Sequence, residues 1–354
     1  MTYLDYQATT PLAPEALAAM LPWLESQHAN PHSPHRPGRM ARAGVEVSRD
    51  QVAALLPPGG RTAFTSGATE ALNWAIKGTD GPIVTLATEH AAVLDTVAAS
   101  GRPVTLLPVG ADGLVDADAA AAAIRPGTGL VAAMLVNNEI GVIQPVATLA
   151  ALAHAAGATM LCDAVQGYGR VPIPPTCDLV ALSAHKVHGP KGVGALWVRD
   201  GTPLAPLLHG GGQEAPGRSG TLSPALCAGF GAAARLMAER AEDDAAHVER
   251  LWTLAMARFE AAGWWLNGSA GARYHGNLNV RRTGLDVNRL MSDLRDVAFS
   301  AGSACASGSG RPSHVLRAIG LGDAEARSSI RIGFGRYTGE DELARAIDAI
   351  LAAP

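Results

Sequence analysis

Charged and aromatic side chains are scarce in this chain. Of its 354 residues, 17% are charged and 5% aromatic. The two signs nearly balance, with 28 Lys and Arg against 32 Asp and Glu. No block of like charge occurs, so no basic patch suggests nucleic acid and no charged tail is present. Cysteine is scarce too. The four, Cys162, Cys177, Cys227 and Cys305, form no CxxC pair, which argues against a zinc or iron–sulfur site made by this chain alone. Gly and Pro, at 40 and 23 residues, are near ordinary usage, which excludes collagen-like and disordered classes. A strongly apolar run is also missing. The longest stretch without Asp, Glu, Lys or Arg lies between Glu139 and Asp163, and it holds Gln144, Pro145, His154 and Gly157. A membrane-spanning helix wants about 20 strongly apolar residues, so this stretch reads as an Ala-rich helix followed by a short strand. The opening MTYLDYQATT has neither a basic region nor an apolar one. No secretory signal is expected, and a cytoplasmic location with reduced thiols is.

What is present suits a large α/β protein. Hydrophobic residues make up 48% of the chain, and a chain of this length buries roughly 75% of its unfolded surface. Short β-like runs at 62–65, 83–87, 104–108, 130–136, 159–163 and 179–183 alternate with Ala-rich helical runs. Such alternation predicts a mostly parallel sheet. The stretch 117–123 reads as helical alanine. After about residue 245 the pattern changes. A helix over 245–262 precedes strand-like NLNV, a short helix around 287–294, a Gly/Ser-rich loop, the strand SSIRIGFG and a final helix over 340–351. The expected division is a large α/β domain over 14–244, with 1–13 and 245–354 forming a smaller α+β domain.

In open α/β sheets ligands sit beyond the carboxyl ends of strands, and the chemistry-bearing residues fall there. In FTSGATE a strand ends at Thr65 and a helix begins near Thr69. Backbone N–H groups of Gly67, Ala68 and Thr69 at a helix start would cradle a phosphate, though an ordinary capped helix reads the same way. In LCDAVQGYG, Asp163 ends an apolar strand and Gln166 follows. A buried carboxylate needs a cation, such as a protonated ring nitrogen, unless Asp163 only caps a helix. In LVALSAHKVHGPKG, Lys186 follows another apolar strand. A lysine beside a cofactor can form a Schiff base. Lys191, in a Gly/Pro turn, is its competitor.

Phosphate cradle, acidic strand end and lysine, in that order, fit a pyridoxal-phosphate enzyme. With YLDYQATTP, TEH, VNNEIG, RSGTL, SAGSACASG and SSIR, the chain resembles the cysteine desulfurases among the class V, fold-type-I aminotransferases, in their longer-loop NifS/IscS-like group. The likeness runs from Tyr3 to about Thr338. It implies a large α/β domain with a mostly parallel sheet plus a smaller α+β domain, pyridoxal 5'-phosphate as cofactor and L-cysteine as substrate. Lys186 would hold the cofactor covalently and move protons. Asp163 would pair with the ring nitrogen, Gln166 would bond the phenolic oxygen, and His90 would stack on the ring and serve in acid–base steps. Thr69, Ser183 and His185 would bind phosphate with the Gly67–Ala68 backbone. Asn138 would sit near ring and substrate, and Arg331 would clamp the substrate carboxylate with help from Asn30. Thr221 would reach the phosphate of a second subunit, which implies a homodimer.

Cys305 lies among small residues in SAGSACASGSG, whereas the other three cysteines have apolar surroundings that suit buried small hydrophobes. The resemblance makes Cys305 the nucleophile that takes the substrate's sulfur and passes it to an acceptor, in iron–sulfur or thio-cofactor assembly. Ala301 stands where the family pattern has Ser. The chain ends at LAAP, short of the tail with which housekeeping members engage an iron–sulfur scaffold, which puts such docking in doubt. Arg311 and Pro312 in the loop have no evident role. Alternatives are a selenocysteine lyase or another pyridoxal-phosphate-dependent cysteine lyase, and a non-catalytic persulfide carrier. An intact Lys186 argues against the last.

Overall fold

The fold is that of a computed structural model, in which residues 1–215, 217–302 and 312–353 are described. Strand β1 (Thr2–Tyr3) opens the chain, and helices α1 (Pro14–Glu25) and α2 (Arg36–Ala53) follow. The alternating part then runs β2 (Gly60–Thr65), α3 (Ala68–Lys77), β3 (Ile83–Leu86), α4 (Ala91–Ala99), β4 (Val104–Leu107), α5 (Ala117–Ala123), β5 (Leu130–Met134), α6 (Val146–Ala155), β6 (Thr159–Asp163), β7 (Leu179–Ser183) and β8 (Gly194–Arg199). These strands form one sheet in the order β2-β8-β7-β6-β5-β3-β4. Every residue of β3, β5 and β7 is buried. Apolar layers cover both faces, so the strands read as continuous apolar runs rather than alternating ones. Asp116 caps α5, its carboxylate accepting from Ala119 N at 2.7 Å, which lets the alanine run wind as expected.

Strands β3 to β7 pair in parallel, whereas β8 runs antiparallel between β2 and β7. Gly194–Arg199 lacked a strand assignment from sequence. Its direction follows from connection length. The stretch 184–193 is too short for the dozen or more residues of a parallel crossover, so the chain must return beside β7.

Helices α7 (Pro224–Glu239) and α8 (Ala241–Ala261) lead to the second part. Helix α7 lies close on α2, and a Cβ at Gly231 would come within 2.8 Å of Ser48 Cα. Helix α8 begins four residues before the expected 245. Only Arg240 separates it from α7, and Glu242, Asp243 and Asp244 fill its first turn, where acidic side chains favour helix initiation.

The remaining elements are β9 (Trp265–Leu266), β10 (Asn277–Arg281), α9 (Val287–Asp293), β11 (Val297–Ala298), β12 (Ser300–Ala301), α10 (His314–Ala318), α11 (Asp323–Arg327), β13 (Ser329–Gly333) and α12 (Glu340–Ala352). Strands β12-β13-β10-β9 form an antiparallel sheet. Leu4 joins its core with Leu251, Phe259, Leu278, Ile330 and Ile347. The N-terminal strand, paired in parallel with β11, therefore belongs to this second core. Among the described residues no helix is long and apolar enough to cross a membrane.

Candidate active site

The carboxyl ends of β3, β5, β6 and β7 open on a cavity of about 470 Å³. Its walls include Gly67, Ala68, Thr69, His90, Asn138, Asp163, Gln166, Ser183, His185, Lys186 and Arg331. Eleven of the expected residues thus meet in one place.

Gly67 caps α3, and the first turn of that helix faces the cavity through Ala68 and Thr69. Thr65 Oγ1 donates to Gly67 O at 2.9 Å, and Ser66 N donates to Glu70 Oε2 at 2.7 Å. A Cβ at Gly194 would lie 2.7 Å from Gly67 carbonyl carbon, so only glycine lets β8 start against this turn. These contacts hold the N-terminal N–H groups in place for an anion.

Asp163 is the last residue of β6 and 5% exposed. Val165 N donates to its Oδ1 at 3.0 Å. Burial pushes its carboxyl pKa up, against the lowering effects of that bond and of His90 and Lys186. A cation placed against Asp163 would relieve the cost of burying its charge. Lys186 closes a short 3₁₀ turn after β7. Its Nζ donates to Ala8 O at 2.9 Å and to Gln7 O. Gln166 Nε2 donates to the same Gln7 oxygen at 2.9 Å. His185 Nδ1 meets Thr9 Oγ1 at 3.1 Å, and burial, then Lys186 and Lys191, pull its pKa down to about 4. The ring is therefore neutral at pH 7 and can donate one hydrogen bond. His90 caps α4, its Nδ1 accepting from Ala92 N at 3.0 Å, which fixes the ring's direction.

Arg331 comes from β13 and is 1% exposed. Its Nη2 pairs with Asp5 Oδ1 at 2.8 Å, its Nη1 donates to Asn138 O at 3.0 Å, and its Nε has no hydrogen-bond partner among the described residues. Cys305 and Arg311 lie outside the described residues. The residues on either side of that segment are described. Ser300, ahead of it, is the cross-strand partner of Arg331. Just after it, Ser313 Oγ donates to Glu139 Oε2, and His314 Nε2 meets Glu89 O at 2.9 Å. Both stems are thus tied to residues beside the cavity.

Asn30 and Thr221 stand apart from this cavity. Asn30 is exposed between α1 and α2, where its Oδ1 accepts from His32 N at 2.8 Å in a local turn. Thr221 is exposed, in a segment anchored by the Arg218–Glu70 ion pair at 2.8 Å. Cys162, Cys177 and Cys227 are free and buried, as their apolar surroundings predict.

Sequence reasoning gave no role to Asp5, Gln7, Glu89 or Glu139. Glu89 is fully buried, its Oε1 accepting from Met134 N at 2.8 Å. Burial, then the charge of Asp163, holds its carboxyl well above the usual range. Burial pushes Glu139 up to about 7. The motifs YLDYQATTP, TEH and VNNEIG contained these four, but nothing local to them shows which distant group each would meet.

A family model described as aminotransferase class-V matches residues 2–345. The chain belongs to this family. Among its relatives, the mitochondrial cysteine desulfurase of Eremothecium gossypii is 44% identical over 98% of this chain and 75% of its own length. The cysteine desulfurase IscS of Rickettsia rickettsii is 40% identical over 98% of this chain and 90% of its own. A solved NifS-like protein superimposes with a TM-score of 0.91 at 30% identity, covering 99% of this chain and 98% of that one. The fold is that of fold-type-I pyridoxal-phosphate enzymes, and this class-V family member uses pyridoxal 5'-phosphate. Its cavity fits that group in three places. The α3 N-terminus suits a phosphate, buried Asp163 suits a cationic ring nitrogen, and the Lys186 amine suits an aldehyde.

Proposed function

We propose that this protein is an L-cysteine desulfurase, which takes the sulfur of L-cysteine and leaves L-alanine and a persulfide on Cys305. The observation that carries this reading is the meeting of Lys186, Asp163 and Arg331 in one cavity, in a chain whose relatives are named cysteine desulfurases. Bound pyridoxal phosphate supplies an electron sink for bonds at the substrate α-carbon. Lys186 holds it through Nζ and then moves a proton to and from that carbon. Asp163 keeps the ring nitrogen protonated, and Gln166 donates to the phenolic oxygen. His90 covers the ring face and serves in acid–base steps. Thr69, Ser183 and neutral His185, with the Gly67 and Ala68 backbone, hold the phosphate. Asn138 sits by ring and substrate.

Arg331 takes the substrate carboxylate, a role in which Asn30, exposed in its own turn away from the cavity, has no part. The bonds of Arg331 to Asp5 and Asn138 hold the guanidinium plane, and Nε, without a partner among the described residues, marks remaining donor capacity. Cys305 thiolate attacks the substrate sulfur. An S–S bond forms, the substrate C–S bond breaks, and its electron pair stays on carbon, which takes a proton and leaves as alanine. Arg331 lies opposite the start of the Cys305 loop, which supports this assignment. The persulfide passes to a sulfur acceptor. We assign a homodimer in which exposed Thr221 reaches the neighbour's phosphate. The free thiols suit the cytoplasm.

The test is to add L-cysteine with a reductant and measure sulfide and alanine together. Equal yields are expected. Cys305→Ser should still bind cysteine at the cofactor, seen as a change in visible absorption, yet release no sulfide. Sulfide release by Cys305→Ser at the wild-type rate would replace this reading with a lyase that eliminates sulfide directly.

A further inference from the structure

A second cavity, of about 390 Å³, lies beside the start of α8. Its charged lining is Arg170, Arg273 and Arg336 against Asp244 and Glu249. Both carboxylates are already engaged. The two Asp244 oxygens accept from Arg336 Nε at 3.1 and 2.9 Å, and Glu249 Oε2 meets His275 Nδ1 at 2.6 Å. His188, also in the wall, is neutral at pH 7, since burial, then the charge of Arg170, pulls its pKa down to about 3.

The other two arginines have no carboxylate partner among the described residues. Arg273 is 5% exposed and gives its donors to carbonyls, including Ser269 O at 2.7 Å and Asn277 O at 3.1 Å. Burial alone pulls its pKa down to about 9. Arg170 donates from Nη1 to Gln166 O at 3.3 Å and from Nη2 to Lys186 O, and lies over the Tyr274 ring. Carbonyls satisfy hydrogen bonds but only partly offset a buried positive charge. Arg336 Nη1, at the same wall, is buried with no hydrogen-bond partner among the described residues.

We propose that this cavity binds a small oxyanion, a carboxylate or phosphate compound, through Arg170 and the field of Arg273, and that Arg170 transmits its occupancy to Lys186. The guanidinium fork matches both anion types. Arg170 bonds the backbone of two residues, Gln166 and Lys186, whose side chains line the first cavity. A ligand that takes its donors must weaken those bonds, so ligand binding and the Lys186 turn are energetically linked.

Calorimetric titration of the cofactor-loaded protein with inorganic phosphate, and separately with malonate, tests the proposal. Saturable binding of either that is lost in Ala245→Phe supports it, and the tighter such probe tells a phosphate compound from an organic acid. Arg170→Gln should weaken binding about tenfold or more, the scale of a lost charge-assisted hydrogen bond. Ala245 is an exposed α8 residue lining the cavity, so Ala245→Phe should fill the space without disturbing the core and abolish binding. This variant carries the test even if Arg170→Gln does not fold. In wild type the probe should also shift the visible absorption of the bound cofactor. No saturable binding of either probe, or binding unchanged in Ala245→Phe, overturns the site. Binding without an absorption shift overturns the link to Lys186.

Discussion

Two cavities share the turn at Lys186. Its side chain lines one, and its carbonyl is bonded by Arg170, which lines the other. In the first, charges of opposite sign stand together. Arg331 pairs with Asp5, and Lys186 and Asp163 feel each other's field. In the second, arginines outnumber carboxylates. The contrast shows how one fold prepares two kinds of site. A cavity holding both signs can order a ligand that carries both, such as an amino acid on a cationic ring. A cavity with surplus cation can only attract an anion.

The largest effect should come from removing the lysine that the two cavities share. Lys186→Ala should cut turnover by at least about 10³-fold, the scale of a lost acid–base group, while pyridoxal phosphate still binds non-covalently. Lys191 lines the same cavity, so borohydride reduction of the wild type sharpens the assignment. Mass spectrometry should place the fixed cofactor on Lys186, and label on Lys191 would break it.

Asp163→Asn should cost about 10²- to 10³-fold in turnover, as expected when a preorganised charge is lost from a buried site. The same change should raise the melting temperature of the cofactor-free protein at pH 7. The folded-state pKa of Asp163 is raised by burial, so the folded state holds its proton more tightly than the unfolded chain. Its ionisation therefore makes the fold less stable as pH rises above the usual carboxylate range. Calorimetric melting with and without cofactor separates the two effects. Unchanged activity would reduce Asp163 to a cap.

The smallest effect should fall on Glu139, which touches the stem of the Cys305 loop through Ser313. With a folded-state pKa of about 7, its contribution to stability is present at low pH and is lost as pH rises through about 7. Glu139→Gln should remove that slope. It should stabilise the protein at pH 8 by about 3 kcal/mol, from the size of the shift, and change little at pH 4. Denaturant melts across pH measure this. An unaltered slope would show that Glu139 is not the group responsible.

Local pattern and tertiary contact divide the information in this protein. Apolar runs set between Ala-rich helical runs made β6 and β7 readable to the residue, and the alanine run 117–123 gave α5, whose Asp116 cap only the structure showed. Strand-end position then picked out Asp163 and Lys186, because open α/β sheets bind ligands beyond their strand ends. Strand β8 itself was not legible in GALWVR; once it is known, the short return from β7 sets its direction. The ion pair of Arg331 with Asp5 spans 326 positions, and the bond from Lys186 to Gln7 spans 179. No periodicity reports contacts at such separations, since they exist only once Leu4 has carried the N-terminal strand into the second core. The basic cavity is of the same kind. Arg170, Arg273 and Arg336 are ordinary arginines in sequence, and only packing sets them on one cavity wall and leaves two of them without a carboxylate among the described residues. The sequence by itself determined which chemistry the strand ends carry. The tertiary structure alone decided which distant charges that chemistry meets, because burial and the partners of a buried charge are properties of the assembled chain.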